Sequence, residues 1–399
     1  MVQLLRDGNG RSRSSLIEAA LEAARTHLDM DVSLLSEFQS GRQVYRHVSE
    51  ADGGPFHLKP DDGVQLEDTY CERVVNGALP HVISDAQGHP ITKELPVTDD
   101  AGIGAYVGVP VRMADGRLYG TLCCVTREPD PSLRERDARF LAVLAAIVGD
   151  ELSRNEADRV RLARITSRIE AAMFRDELSH VFQPIVDLSS GRPVGLEALA
   201  RFAPDPKQSP QQAFAEAWEV GLGVELDLHA VRVALSRLEE IPEPLYLSIN
   251  ASPDTVAAPG FEDALRHSHP ERVVIEVTEH AVAAHYDLLS EAMGRVRALG
   301  VRFAVDDVGA GYAGLNHLVR VAPDVIKLDR FLISGVDRDP ARQALASAAA
   351  QFAQRARILL IAEGIETEAE HEQLRRLGIP FGQGYYYARP TTLEAALAI

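Results

Sequence analysis

Leu-Tyr-Leu-Ser-Ile-Asn (245–250), Val-Val-Ile-Glu-Val-Thr-Glu (273–279), Phe-Ala-Val-Asp-Asp (303–307), Val-Ile-Lys-Leu-Asp (325–329) and Leu-Leu-Ile-Ala-Glu-Gly (359–364) decide the fold of this chain. Each is a short apolar run closing on a polar or charged residue, as expected of a strand buried on both faces. With their flanks they read as strands at Tyr246–Ala251, Val273–Thr278, Arg302–Val308, Val325–Asp329 and Ile358–Glu363. Similar runs at Val181–Asp187, Gly195–Arg201 and Gly382–Tyr387 bring the set to eight. Helical patterns fill most of the intervals, at Gln211–Val220, Ala230–Glu240, Leu288–Ala298, Arg342–Arg355 and Ala369–Leu377. Eight strands alternating with helices predict an α/β fold of the (β/α)8 TIM-barrel type rather than an open sheet. No Gly-rich dinucleotide or Walker fingerprint follows the first strand, which disfavours the open sheet further.

Barrel enzymes carry their chemistry at the C-terminal ends of strands. Glu197, Asn250, Glu276, Asp306, Asp307, Lys327 and Glu363 all fall there. A single acid in such a place reads as a structural ion pair. Five acids, an Asn and a Lys on different strands do not, because their mutual repulsion in a low-dielectric mouth is prohibitive without cations. Hard divalent ions on oxygen ligands are the simple solution, Mg²⁺ or Mn²⁺ rather than Zn²⁺, since no Cys or His joins the cluster.

The order of the motifs adds a resemblance. Val-Phe-Gln-Pro-Ile-Val-Asp-Leu (181–188), Glu-Ala-Leu-Ala-Arg (197–201), Ser-Ile-Asn (248–250) and Glu-Val-Thr-Glu (276–279) come first. Asp-Asp-Val-Gly-Ala-Gly-Tyr (306–312), Lys-Leu-Asp (327–329), Ala-Glu-Gly-Ile-Glu (362–366) and Gln-Gly-Tyr (383–385) follow. Together they resemble EAL domains over roughly residues 175–395. The resemblance implies a metal-dependent phosphodiesterase that hydrolyses cyclic di-GMP to linear pGpG with two Mg²⁺ or Mn²⁺ ions. It implies that Glu197, Asn250, Glu276 and Asp306 bind one ion, and that Asp306 and Asp307 bind the other, with Glu363 assisting through water. Lys327 would position or deprotonate the attacking water, with Glu197 and Glu363 as its catalytic companions. Gln183, Leu199, Arg201, Asp329 and Gln383 would contact the dinucleotide, and Glu279 and Glu366 would brace the loop after the fifth strand. That loop departs from the commonest family pattern, with Val308 and Ala310 where Phe and Thr are usual. The alternative is a non-catalytic receptor that binds cyclic di-GMP and signals to a partner.

The N-terminal part has a different rhythm. An amphipathic helix over Arg13–Ala24 is followed by strand-like runs at Val32–Phe38, Val44–Val48, His81–Ser84, Tyr106–Arg112 and Leu118–Val125. Ala114-Asp115-Gly116-Arg117 reads as the turn of a hairpin joining the last two, and Thr69–Val75 as a short helix. Tyr106-Val-Gly-Val-Pro-Val and Tyr119-Gly-Thr-Leu-Cys-Cys-Val resemble GAF domains. The resemblance implies an α+β sensor domain with an unknown small-molecule ligand. The three cysteines, Cys71, Cys123 and Cys124, are too few for a disulfide framework. Neighbours in a strand-like run, Cys123 and Cys124 point to opposite faces and read as small buried hydrophobes. Cys71 and His81 read as structural rather than as haem or tetrapyrrole ligands.

Between the two lies a helical pattern from Leu133 to Leu178 without an internal Pro. Apolar Leu141, Val148, Leu162 and Ile169 recur at heptad spacing with Asn155 in register, as in a coiled-coil seam, but Glu151 and Asp158 break the companion seam, and the alternative is a solvated connecting helix. The expected organisation is a GAF-like sensor at 1–132, a helical linker at 133–174 and an EAL phosphodiesterase domain at 175–399, assembled as a homodimer. A net charge of −18 argues against nucleic acid as a partner. The polar first residues lack the apolar core of a signal peptide, and Phe140–Gly149 is too short an apolar stretch to span a bilayer. The expectation is a cytoplasmic protein with no membrane attachment.

Overall fold

The computed structural model describes residues 14–51, 53–175, 177–203, 209–309 and 320–399. The chain divides into two compact units, Met1–Arg161 and Leu162–Ile399.

The first unit is a six-stranded antiparallel sheet. Its strands are β1 (Val32–Gln39), β2 (Arg42–Glu50), β3 (Gly63–Gln65), β4 (Val82–Ile83), β5 (Ala105–Arg112) and β6 (Leu118–Thr126), in the order β3-β2-β1-β6-β5-β4. Period-two alternation gives the sheet two apolar faces. On one, Leu35, Val107, Val109, Leu122 and Cys124 pack under α1 (Ser14–His27) and the start of α4 (Glu135–Phe174), through Leu21, Leu141 and Val148. On the other, Leu34, Tyr106, Cys123 and Val125 meet Tyr70, Cys71 and Val74 of α2 (Tyr70–Val75). Cys123 and Cys124 therefore lie on opposite faces, and β5 and β6 pair antiparallel across the expected turn.

The heptad seam of α4 is largely used within the chain. Leu141 and Val148 are fully buried in the first unit's core, and Ile169 packs in the second unit beside Leu178, Leu226 and Ala230. The same spacing that marks a coiled coil also marks a helix lying on its own domain, because both need one apolar stripe. The helix also ends earlier than its pattern predicts, at Phe174, and Leu178 starts a strand.

The second unit is a closed barrel. Its strands are β7 (Leu178–Asp187), β8 (Pro193–Phe202), β9 (Tyr246–Asn250), β10 (Val273–Thr278), β11 (Arg302–Val308), β12 (Val325–Leu328), β13 (Leu359–Ala362) and β14 (Phe381–Gly382). From β8 to β14 each pairs parallel with the next. The first strand breaks the expected pattern, because β7 pairs antiparallel with both β8 and β14. A short turn at Leu188–Arg192 joins β7 to β8, and so short a connection cannot return a chain to a parallel start. The last strand is two residues long rather than six, since Gly384 to Tyr387 leave the sheet in a turn. Helices on the outside bury the main core, including Leu196, Leu247, Ile275, Phe303 and Leu360, between strands and helices. The helix expected at Ala230–Glu240 forms earlier, at Gly223–Leu235, with a 3₁₀ turn at Leu238–Glu240.

Candidate active site

Inside the barrel, Ile185, Val274, Ala304, Val325 and Ile361 form a small apolar cluster, joined by Tyr246 and Phe381. Gly195 belongs to this level. A Cβ there would lie 2.6 Å from the Tyr246 ring, so a glycine makes room for the tyrosine. Side chains two residues apart on a strand share a face. One step further towards the strand ends, the same inner face carries Glu276, Asp306, Lys327 and Glu363 after Val274, Ala304, Val325 and Ile361. Glu197 follows Gly195, Ser248 follows Tyr246 and Gln383 follows Phe381 in the same way. Gln183 stands two residues before Ile185, because β7 runs in the opposite direction. A polar layer thus sits directly on an apolar one.

Lys327 is the centre of this layer and is 1% exposed. Its Nζ lies 2.6 Å from Glu363 Oε1, 2.8 Å from Glu276 Oε2, 3.4 Å from Glu197 Oε2 and 3.7 Å from Asp306 Oδ1. Ser248 Oγ donates to Glu276 Oε1 at 2.5 Å. Asn250 Nδ2 donates to Glu197 Oε1 at 3.0 Å, and Gln383 Nε2 donates to Glu197 Oε2 at 2.6 Å and to Gln183 Oε1 at 3.0 Å.

One ammonium cannot neutralise two buried and two half-buried carboxylates, and their proton affinities record the excess. Burial, then the Glu197 charge, pushes Glu276 well above the usual carboxylate range despite Lys327. Burial raises Glu363 to about 8, again against the pull of Lys327. Asp306 is raised by burial, and Asp307 by burial and then by Asp306. Glu197 alone falls: burial raises it, but Lys327, Gln383 and Asn250 together outweigh that cost. Burial also opposes the charge on Lys327, yet the carboxylates hold its ammonium well above the ordinary lysine range.

Asp306 and Asp307 are adjacent and would face opposite sides of a regular strand. The pairing of β11 with β12 shifts between Val305 and Val308, inserting one extra residue at the two aspartates. Asp307 takes a left-handed φ of 59°, and its N–H donates to Asp306 Oδ1 at 2.9 Å. The bulge lets Asp306, Asp307 and Glu363 offer carboxylate oxygens within 4.8 Å of one another. An all-oxygen donor set this close, with too little positive charge around it, fits a hard divalent cation.

The polar layer opens into a cavity of about 240 Å³ lined by Gln183, Glu197, Leu199, Asp306, Glu363 and Gln383, together with Arg330, Glu366 and Tyr385. Arg201 lies two residues past Leu199 on β8, and its Nη1 donates to Ala200 O at 2.7 Å. The Asp329 carboxylate caps the next helix, accepting from Phe331 N at 2.8 Å. Buried Glu279 accepts from Gly309 N at 3.3 Å, at the start of the loop after β11. Glu366 instead pairs with Arg330 at 2.9 Å. Residues 310–319, which include Ala310 of the variant motif, lie outside the described residues.

Ser248, Arg330 and Tyr385 are not among the residues expected from the sequence. Ser248 has a readable signal, two positions before Asn250 on the inner face of β9. Tyr385 closes the Gln-Gly-Tyr motif without being singled out, and Arg330, the first residue of the short helix after β12, has no such signal.

Residues 166–390 match the EAL domain, more than half of the chain. The chain belongs to the EAL family. Residues 12–152 match the GAF domain, which identifies the first unit. The EAL barrel is similar to a solved structure described as the PaMucR phosphodiesterase in complex with c-di-GMP. That match has a TM-score of 0.53 and 28% identity, covering 58% of this chain and 99% of the other. Among curated proteins, the probable cyclic di-GMP phosphodiesterase PdeN of Escherichia coli K12 is 28% identical over 57% of this chain and 46% of its own length. The cyclic di-GMP phosphodiesterase NbdA of Pseudomonas aeruginosa is 29% identical over 58% of this chain and 31% of its own length. The chain thus spans less than half the length of these two relatives.

Proposed function

We propose that the EAL barrel hydrolyses cyclic di-GMP to linear pGpG, under regulation by the GAF unit. The observation that carries this reading is the convergence of Glu197, Glu276, Asp306 and Glu363 on Lys327 at the floor of an open cavity. The similarity to EAL phosphodiesterases, one of them in complex with c-di-GMP, supports the substrate.

Glu197, Asn250, Glu276, Asp306 and Asp307 would hold two Mg²⁺ or Mn²⁺ ions, which when bound supply an activated hydroxide and neutralise the scissile phosphate. Gln183, Leu199, Arg201, Asp329 and Gln383 bind the dinucleotide, with the planar fork of Arg201 on phosphate. Lys327 holds the attacking water beside Glu363. Its Nζ accepts a proton only when its carboxylate partners are otherwise neutralised, because together they keep it an ammonium. Burial pushes the Glu363 carboxyl up, so it holds its proton to higher pH than an ordinary glutamate as long as nothing else balances the cluster. Glu279 fixes the start of the loop that carries Gly309. We also propose a homodimer as the working form, as the family resemblance implies; a monomer mass by sedimentation at assay concentration refutes it.

The test is chromatography of cyclic di-GMP after incubation with the full chain and Mg²⁺ or Mn²⁺. The expected product is pGpG, and none forms with a chelator present. Unchanged cyclic di-GMP that nevertheless binds saturably would make the barrel a receptor instead.

A further inference from the structure

The GAF unit contains a buried polar cluster that the proposed hydrolysis does not use. Cys71 on α2 and Cys123 on β6 are 52 positions apart, yet their sulfurs lie 3.7 Å from each other. Gln43 Nε2 donates to Cys71 Sγ at 3.2 Å, and the Tyr106 hydroxyl is 3.4 Å from the same sulfur. Both thiols are free and line a mainly apolar cavity of about 80 Å³, where Gln43, Tyr45, Tyr70 and Tyr106 stand among Val32, Leu34, Phe56 and Ile103. By that measure a water needs roughly 10–15 Å³, so the space admits several water-sized molecules. It is a small chamber with two thiols on its wall.

We infer that Cys71 and Cys123 form a redox-active dithiol that a small hydroperoxide entering this cavity closes to an intramolecular disulfide. Sulfurs already in contact at 3.7 Å meet one geometric condition for the bond, and an S–S length of ~2.05 Å draws them together from there. The environment also separates their roles. Hydrogen bonding from Cys123 lowers the Cys71 thiol to about 7 against the cost of burial, with Thr121, Tyr106 and Gln43 adding to the effect. Cys123 is pushed well above the ordinary thiol range by the same contact and by burial. With Gln43 Nε2 donating to its sulfur at 3.2 Å and the Tyr106 hydroxyl 3.4 Å away, Cys71 has the donors that favour a thiolate, which makes it the attacking thiol and Cys123 the resolving one. Cys124, on the opposite face of the sheet, is raised to about 12 by burial and takes no part.

The chemistry balances with the peroxide as the only oxidant. The Cys71 thiolate attacks one peroxide oxygen; the O–O bond breaks, Cys71 becomes a sulfenic acid, and the other oxygen leaves with a proton as water or alcohol. Cys123 sulfur then attacks the Cys71 sulfur; the S–O bond breaks, the disulfide forms, and the hydroxyl leaves with the Cys123 proton as water. Two thiols lose two electrons in total, and one hydroperoxide gains them. A sparse thiol pair of this kind suits transient redox sensing rather than a permanent staple.

The experiment uses the full chain and hydrogen peroxide, followed by thiol alkylation and peptide mapping. The expected result is a peptide joining Cys71 to Cys123, lost on reduction, with Cys124 still alkylated. Cys124→Ser keeps the cross-link. Cys123→Ser loses it, and a dimedone adduct appears on Cys71. The inference is overturned if both thiols of the folded chain stay alkylatable under peroxide. It is equally overturned if Cys71 oxidises to sulfinic acid without a cross-link, or if the bridge formed involves Cys124 or a second chain. Should either variant fail to fold, mapping of the unsubstituted chain decides alone.

Discussion

The EAL barrel encloses Lys327 among four carboxylates, whereas the GAF cavity is mainly apolar, with no acidic or basic side chain on its wall and Gln43, Tyr70, Tyr106, Cys71 and Cys123 as most of its polar part. Both are buried, and both hold side chains with hydrogen-bonding capacity. They differ in what burial demands. A neutral group out of water needs only a partner for each donor and acceptor, as Gln43 finds in Ser36 and Cys71. A buried carboxylate needs positive charge, or it takes up a proton. The barrel is therefore poised to respond to cations and to pH, while the GAF cavity is poised to respond to whatever reacts with sulfur.

The largest expected effect tests the cationic centre. Lys327→Met leaves four carboxylates, two buried and two half-buried, without the ammonium they share, and in chelator the barrel should lose about 3–5 kcal/mol of stability. Mg²⁺ should restore much of that loss. Denaturant melts with and without the ion measure both, and a variant as stable as the parent in chelator would show that the carboxylates are already neutral.

Next comes the ligand set. Glu197→Ala removes a group that holds Lys327 and accepts from Asn250 and Gln383. Even groups one step removed from a metal change activity 10- to 100-fold, so hydrolysis should fall by at least about a hundredfold. Activity within a few-fold of the parent would end the metal-ligand role of Glu197.

A pH series separates the two regions further. The Glu363 carboxyl rises in the folded state from its ordinary 4.5 to about 8, and Glu276 rises as well. A raised acid binds more protons folded than unfolded, so its stabilisation is complete below about 4.5 and is lost as pH climbs towards 8. In chelator, the melting temperature of the barrel should fall across this window. In Mg²⁺ or Mn²⁺ the slope should flatten, since cations replace the protons. A chelated barrel whose melting temperature is flat or rises over the window would contradict the charge excess.

The smallest effect belongs to the neutral cavity. Gln43→Leu removes hydrogen bonds to Ser36 and Cys71 and should cost about 1 kcal/mol. Neither chelator nor pH below neutrality should alter that cost in melts of the GAF unit's transition. A metal-dependent cost would erase the distinction between the two regions.

Much of the barrel was readable because its strands are short, apolar and end on charge. Val273–Thr278 and Arg302–Val308 form over the predicted residues, and Glu276, Asp306, Lys327 and Glu363 meet in one layer. What escaped the reading depends on partners rather than on pattern. Leu178 looked like the end of a helix because its apolar spacing suits either element, and only pairing with Phe202 makes it a strand. Ser248 was passed over beside the more eloquent Asn250. Arg330 opens the short helix after β12 and Tyr385 lies in a turn, beyond the strands whose periodicity points to a face. In the GAF unit the alternation of Cys123 and Cys124 was evident, but nothing local brings Cys71 to Cys123.

By itself, the sequence determined which residues carry charge, that they close apolar strands, and that period two sets them on one face above an apolar layer. Those are local properties of a strand. Tertiary structure decided the rest, because it depends on pairing between distant segments. The antiparallel β7 brings Gln183 to Glu197. The bulge at Asp306 and Asp307 turns two neighbours towards Glu363, which a regular strand would forbid. Barrel closure sets Lys327 among four carboxylates, and sheet packing joins two thiols that the sequence holds far apart. Charge is written along the chain, but its excess in one place exists only once the chain has folded.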